Sequence, residues 1–227
     1  MEILREVSKK HLLAIVTNLS WDPAAWLSSL DPARVCLHAS YHPRFAGPVG
    51  KFADKILFLK EHGFDMLASV VAYPGHFDEL ADCVRTFSNR GVECMVKPYW
   101  GTYQGLDYPA RYSGDQRHFL RETGDREVLD YEIGDITTLG KLCRTGQLSF
   151  AVSAHGVIRR CGSTDEKIGH VLDKDFELRE EPSPCPLQKC RCAGFSVYLV
   201  ENDGRRQQNP RFRTAGSPVS NASVPSD

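Results

Sequence analysis

Short, continuous runs of apolar residues recur through the first hundred positions of the chain. Four of them have the length of a strand, and they cover residues 12–17, 34–40, 66–73 and 92–98. These runs are apolar throughout rather than at every second position. They therefore predict strands that are buried on both faces, as in a parallel sheet.

Segments with helical periodicity lie between the predicted strands. Phe52, Ile56 and Leu59 share one face of a helix, a similar repeat runs through residues 77–91, and a further helix is predicted over residues 21–30. Alternating strands and helices predict βαβ units with right-handed crossovers. The expected fold class is α/β: a partial (β/α) barrel fragment of about four parallel strands with helices.

The pattern changes after residue 100. Residues 101–109 are rich in Gly and Tyr and predict a long loop, and a short helix follows with a capping box from Ser113 to Gln116. Alternating apolar residues around a turn at residues 154–156 predict a β-hairpin. The expected parts are a barrel fragment (1–100), a linker with a short helix (101–140), a small cysteine-rich β-hairpin extension (141–200) and a disordered tail (201–227).

Composition narrows the class of protein. The chain has 227 residues, a formal charge of -1, 41% hydrophobic and 25% charged residues, which is ordinary for a globular protein and gives no reason to expect a nucleic-acid partner. The sequence has no apolar stretch of the ~18 residues that a membrane helix needs, and its start does not resemble a signal peptide. We expect a cytoplasmic protein with no membrane partner, whose cysteines are thiols or metal ligands.

Five of the eight cysteines lie between positions 143 and 192, and their spacing is typical of a metal site. They are Cys143, Cys161, Cys185, Cys190 and Cys192. Thiolates one to four residues apart in a turn can converge on one soft metal, and the predicted hairpin would bring the first two together. Spacing alone leaves an iron-sulfur cluster and a structural zinc ion as alternatives. Five candidates for four positions leave one extra, which we expect to be one of the last two.

Polar and aromatic residues close the predicted strands. Ligands of parallel α/β proteins bind at the carboxyl ends of strands, so these residues predict the rim of a pocket. They include Asn18, Ser40, Tyr73 and Tyr99. A weaker alternative is a histidine metal site of a hydrolase, formed by His38, His42 and His76.

Two of these features together resemble the radical S-adenosylmethionine (SAM) family. Thr17-Asn18 and the apolar run 35–40 look like the third and fourth strands of a radical SAM core, and Cys143-x12-Gly156-x4-Cys161 looks like the opening of a SPASM or twitch extension. The resemblance implies a TIM-barrel-like partial barrel, a [4Fe-4S] cluster that cleaves SAM, and an auxiliary [4Fe-4S] cluster in the extension. It would place Asn18 and Ser40 near SAM.

The same resemblance gives the remaining site residues their roles. Tyr73 and Tyr99 would be further cofactor-pocket residues. The auxiliary cluster would be held by Cys143, Cys161, Cys185 and either Cys190 or Cys192. Implied partners are an unknown small-molecule or peptide substrate and an electron donor protein.

The chain departs from the family pattern in two respects. It has no Cys-x3-Cys-x2-Cys motif for the SAM-cleaving cluster and no counterpart of the first two core strands, so we expect the C-terminal portion of a longer radical SAM protein that does not cleave SAM alone. Its downstream cysteines are fewer than in a complete SPASM domain, which favours one auxiliary cluster. The alternative is a zinc-stabilised scaffold or interaction module without catalysis.

Overall fold

The structure is a computed structural model that describes residues 2–27, 29–134, 136–174, 176–190 and 198–202. Its main sheet has four parallel strands in the order β1-β2-β3-β4. They are β1 (Leu13–Thr17), β2 (Val35–Tyr41), β3 (Asp65–Ala72) and β4 (Cys94–Pro98). The predicted α/β architecture with a four-stranded parallel sheet is confirmed, and closure of the sheet into a barrel stays a prediction.

Helices precede and connect the strands of this sheet. They are α1 (Glu2–Ser8), α2 (Ala24–Leu27), α3 (Val49–Glu61) and α4 (Leu80–Asn89), with 3-10 helices at Pro32–Arg34 and Pro74–Glu79. Helix α2 is shorter than predicted. The chain must turn soon after it, because the Asp31 side chain accepts a hydrogen bond from Ala33 N (3.0 Å) and begins the next 3-10 helix.

The core of the sheet domain is built around three aromatic rings. Phe87 of α4 is fully buried and lies edge-on to Tyr41 and Phe52, with ring centroids 5.8 and 6.3 Å away. In β3, every residue from Met66 to Val70 is buried. A strand covered on both faces explains why its sequence is apolar without alternation.

The prediction of a long loop after β4 is wrong, because this segment forms a β-hairpin. Strands β5 (Gly101–Tyr103) and β6 (Leu106–Tyr108) pair across the two residues Gln104 and Gly105, whose φ angles are 49° and 75°. Two positive φ angles are typical of the primed turns that fit the twist of a hairpin. Helices α5 (Gly114–Thr123) and α6 (Arg126–Glu132) follow, and the predicted capping box at α5 is confirmed.

The cysteine-rich part consists of short strands. They are β7 (Leu142–Cys143), β8 (Ala151–Val152), β9 (Val157–Arg159), β10 (Lys167–His170) and β11 (Ser183–Pro184), followed by a 3-10 helix at Val200–Asn202. β8, β9 and β10 form an antiparallel sheet, and β11 pairs with β7. That this cysteine-rich part is a cluster-binding extension stays a prediction. The boundaries of the four predicted parts of the chain also stay predictions.

Two further points concern the extent of the chain. No helix in the described part of the chain is both long and apolar enough to cross a bilayer. The predicted disordered tail falls almost wholly on residues 203–227, which lie outside the described residues.

Candidate metal centre

Four cysteines line one small cavity. They are Cys143, Cys161, Cys185 and Cys190, and the cavity measures about 20 Å³. All four are free thiols. The structure thus brings together four of the five cysteines in the predicted ligand set, and the fifth, Cys192, lies outside the described residues.

Short strand pairings bring the distant cysteine segments together. Cys143 lies in β7 opposite Ser183 of β11, and an isolated antiparallel bridge joins it to Leu199 on its other side. Cys185 directly follows β11, and its backbone N–H donates to Lys141 O at 2.8 Å. Two cysteine segments more than forty residues apart are therefore fixed by backbone hydrogen bonds before any metal is considered.

Arg160 joins the third cysteine segment to the other two. It precedes Cys161 in the chain and is 3% exposed. Its guanidinium donates to Thr145 O (3.3 Å), Pro184 O (2.7 Å) and Ser183 O (2.6 Å). Because those carbonyls lie next to Cys143 and Cys185, one side chain holds all three segments in place. Its charge has one carboxylate nearby, that of Glu166, 3.5 Å away.

The loop that carries the last cysteine is held from the opposite side. Thr138 is 1% exposed. Its backbone N–H donates to Gln188 O (3.1 Å) and its hydroxyl donates to Leu187 O (2.7 Å). These bonds fix the backbone just before Cys190 and so close the cavity.

Hydroxyl groups lie beside the sulfur atoms. Thr145 Oγ1 is 3.3 Å from Cys143 Sγ, and Thr164 Oγ1 is 3.6 Å from Cys161 Sγ. The hydroxyl of Ser183, across the β7–β11 pair from Cys143, is buried and has no hydrogen-bond partner among the described residues. The Cys161 thiol donates to Thr164 Oγ1, and either atom of the Cys143–Thr145 pair can be the donor. A thiolate or a cluster sulfur would instead accept a hydrogen bond from a neighbouring hydroxyl, and such bonds stabilise negative charge on sulfur.

The four thiols are suitable ligands for a thiophilic metal, but the cavity between them is small. About 20 Å³ accommodates roughly one water molecule, which is less than an iron-sulfur cubane needs. In the described geometry, no group of three or more His, Cys, Asp or Glu side chains is arranged to hold a metal ion. Four thiols facing one cavity are nevertheless the ligands that a [4Fe-4S] cluster or a zinc ion requires, after outward rotation of the side chains.

A larger cavity of about 500 Å³ lies at the carboxyl edge of the main sheet. Two of the predicted rim residues, Tyr73 and Tyr99, line it, with ring centroids 5.2 Å apart and planes perpendicular. Asn18 and Ser40 do not line it. Asn18 is exposed and accepts a hydrogen bond from Ser20 N (3.1 Å), and Ser40 pairs with Ser69 in the sheet. A role of these four residues in cofactor binding stays a prediction.

The predicted histidine site is divided between two places. His42 and His76 line the large cavity, whereas His38 lies within β2 beside β1 and β3 and is not among the residues that line it. His76 instead interacts with Arg44 (2.5 Å) and Glu79 (3.2 Å). Since no metal-binding group is found within the described residues, these histidines carry no metal assignment.

Sequence reasoning missed Arg160 and Thr138, which organise the cysteine cavity. The one available signal was the pair Arg159-Arg160 directly before Cys161. Which arginine turns inward depends on strand alternation, and β9 is too short for its faces to be assigned from sequence.

Comparison with known proteins gives a distant relative. No protein-family model matches the chain. The chain is 22% identical over 180 residues to the sporulation killing factor maturation protein SkfB of Bacillus subtilis (strain 168), a match that covers 71% of this chain and 44% of the relative. The chain thus spans less than half the length of that relative. This distant similarity suggests a protein of the radical SAM family, the family that the sequence resembles.

Proposed function

We propose that the chain belongs to a radical SAM protein and binds one auxiliary [4Fe-4S] cluster. The ligands would be Cys143, Cys161, Cys185 and Cys190, with Cys192 as the alternative fourth ligand. The observation that carries this proposal is that four thiols from three distant segments line one cavity. Buried free cysteines occur singly in many cores, but four around one cavity are expected where a metal is bound.

The surrounding residues would support thiolate ligands. Arg160 contributes a buried positive charge next to Cys161, and Thr145 and Thr164 offer hydroxyl donors to sulfur. These groups would stabilise the negative charge of the ligated state and orient the thiolates. When bound, the cluster would supply electron transfer or a site for direct substrate binding. Because the sequence has no Cys-x3-Cys-x2-Cys motif, we do not assign SAM cleavage to this chain alone.

The substrate class we propose is another polypeptide. The distant relative is, by its name, a maturation protein for a killing factor. The aromatic cavity of about 500 Å³ at the sheet edge is large enough to take one or two side chains of an extended peptide. Its walls include Tyr73, Tyr99 and the exposed Phe45, which together favour apolar contacts.

A structural zinc ion is the second candidate, and the volume of the cysteine cavity favours it. One zinc ion needs far less space than a cubane, and tetrahedral ligation by four thiolates is the usual structural zinc site. In that case the region would be a stabilising module without redox chemistry.

Metal analysis under anaerobic conditions separates the two candidates. The cluster predicts a brown protein with broad absorption near ~400 nm and acid-labile sulfide. Replacing Cys143, Cys161 or Cys185 with Ser should remove most of the iron, whereas Cys36→Ala, in β2, should leave it unchanged. Comparing Cys190→Ser with Cys192→Ser identifies the fourth ligand. A colourless protein with stoichiometric zinc would replace the cluster proposal with the zinc module, and absence of both metals after reconstitution would refute both.

A further inference from the structure

A third cavity lies between the end of the main sheet and the cysteine-rich part. Its volume is about 290 Å³. The side chains that matter for its chemistry are Trp100, which follows β4, Arg117 of α5, Glu132 at the end of α6, and Lys189, next to Cys190. The volume is that of a small ligand or of one end of a larger one.

The two cations of this cavity are bound to the backbone rather than to acids. Arg117 donates to the carbonyls of Tyr112 (3.2 Å), Ile133 (2.5 Å), Ala110 (2.9 Å) and Pro109 (3.5 Å). Lys189 donates to the carbonyls of Gly134 and Ile136. Neither forms an ion pair with a carboxylate in the described part of the chain. Backbone carbonyls orient these cations without cancelling their charge, so the cavity favours an anion.

Glu132 is the unusual residue of the cavity. It is 3% exposed and is one of the residues that line the cavity. Burial raises the pKa of Glu132 to about 8, against the lowering effect of Lys97 and with a small further rise from Asp125. The carboxyl group is therefore mostly protonated at neutral pH, so its O–H is a donor at the wall of the cavity.

We propose that this cavity binds the carboxylate group of a ligand, held by Arg117, Lys189 and Glu132, with the ring of Trp100 against the apolar part of the ligand. Most hydrogens of the two cations are used by backbone carbonyls, which leaves about one on each plus the hydroxyl of the acid. Three donors suit a planar carboxylate with two oxygens. A phosphate group has more oxygens to satisfy and would be left with unpaired acceptors.

The proposal makes carboxylate binding depend on pH in a defined direction. Loss of the Glu132 proton removes a donor and puts a negative charge beside the bound anion. Lys97 of β4 and Asp125 before α6 are the charged groups that act on Glu132, and the cations Arg117 and Lys189 line the same cavity. Affinity should therefore be constant below the pKa of Glu132 and fall about tenfold for each pH unit above it, and by linkage a bound carboxylate should raise that pKa.

Calorimetric titration of the full chain with sodium acetate between pH 6 and 10 tests the proposal. Glu132→Gln keeps the shape and a donor but cannot ionise, so it should bind acetate with the same affinity at every pH. Lys189→Gln should weaken binding at all pH values by about tenfold or more, since it removes a charge from a buried anion site. The matched controls Glu93→Gln and Lys51→Gln change exposed residues and should behave as the unchanged protein does.

A tripeptide with a free carboxyl end and its amide identify the source of the carboxylate. Binding of acetate alone assigns a small free carboxylate, and additional binding of the free peptide but not of its amide assigns a peptide end; either result supports the proposal. Absence of acetate binding, preference for inorganic phosphate, or an unchanged pH profile in Glu132→Gln would overturn it. Binding requires no metal, so this outcome is independent of the cluster proposal.

Discussion

Replacing Arg160 with Met is the most direct test of how the cysteine cavity is held together. The change keeps the length and apolar stem of the side chain but removes three hydrogen bonds, to Thr145 O, Pro184 O and Ser183 O. Hydrogen bonds from a charged donor contribute about 1.5–3 kcal/mol each, and buried carbonyls left without a donor add a desolvation cost. Relaxation of the short strands recovers part of this cost. We therefore expect the free energy of unfolding to fall by about 3–5 kcal/mol, comparable to the effect of breaking a buried ion pair.

The assay follows the cysteine region and its metal separately. Hydrogen exchange should accelerate around residues 142–145, 160–161 and 183–185 and stay unchanged in the main sheet, because the lost bonds lie only in the first region. Metal content after anaerobic reconstitution should fall below half of that of the unchanged protein.

The neighbouring Arg159 provides the matched control. Its side chain is 42% exposed and its ion-pair partner, Asp165, is fully exposed at 3.5 Å. Arg159→Met should change stability by less than about 0.5 kcal/mol. Full metal loading and unchanged exchange in Arg160→Met would refute the organising role of this residue.

Three further predictions concern the sheet domain and the cavity that Glu132 lines. Phe87→Ala should lower the free energy of unfolding by about 3–5 kcal/mol in urea titrations, whereas Phe45→Ala, at a residue 90% exposed, should change it by less than about 0.5 kcal/mol; equal effects would contradict the assigned core. Tyr112→Phe should cost about 1–3 kcal/mol by the same assay, because the hydroxyl donates to Ala72 O (2.5 Å) and accepts from a second backbone group, and a neutral effect would argue against this link between strand ends. Because the pKa of Glu132 is raised, its carboxyl group stays protonated in the folded state at pH values where it loses the proton in the unfolded state. The free energy of unfolding should therefore fall by up to about 5 kcal/mol between pH 4.5 and 8 and then level off. Glu132→Gln should lack this loss in denaturation curves measured across the range, and a persistent slope would assign it to other groups.

The main sheet could be predicted because its signals are local. A run such as residues 66–73 is apolar over its whole length, and the capping box of α5 is contained within Ser113 to Gln116. Such patterns depend on neighbours in the chain and not on distant contacts. The hairpin after β4 escaped prediction since its strands have only three residues each and face solvent, which leaves Gln104-Gly105 as the whole signal.

The cysteines of the candidate site were predicted from the sequence, whereas the residues that hold them in place were not. Cysteine spacing pointed to the residues that line the cavity, because sulfur has few other reasons to recur at such intervals. Arg160 and Thr138 act through backbone carbonyls that are distant in the chain, and their sequence neighbours do not show that their side chains are buried. A polar residue turned toward the interior can be recognised only when the fold supplies its surroundings.

The bridge between Cys143 and Leu199 sets the order in which the protein can be completed during synthesis. At typical translation rates of about 5–20 residues per second, the ribosome adds the intervening stretch in roughly 3–11 s. The parallel sheet has all of its strands by Pro98 and can form first, while the early cysteines wait for their later partners. The proposed metal, if it were delivered within that interval, would meet an incomplete cavity, so its binding would have to follow the docking of the late segment.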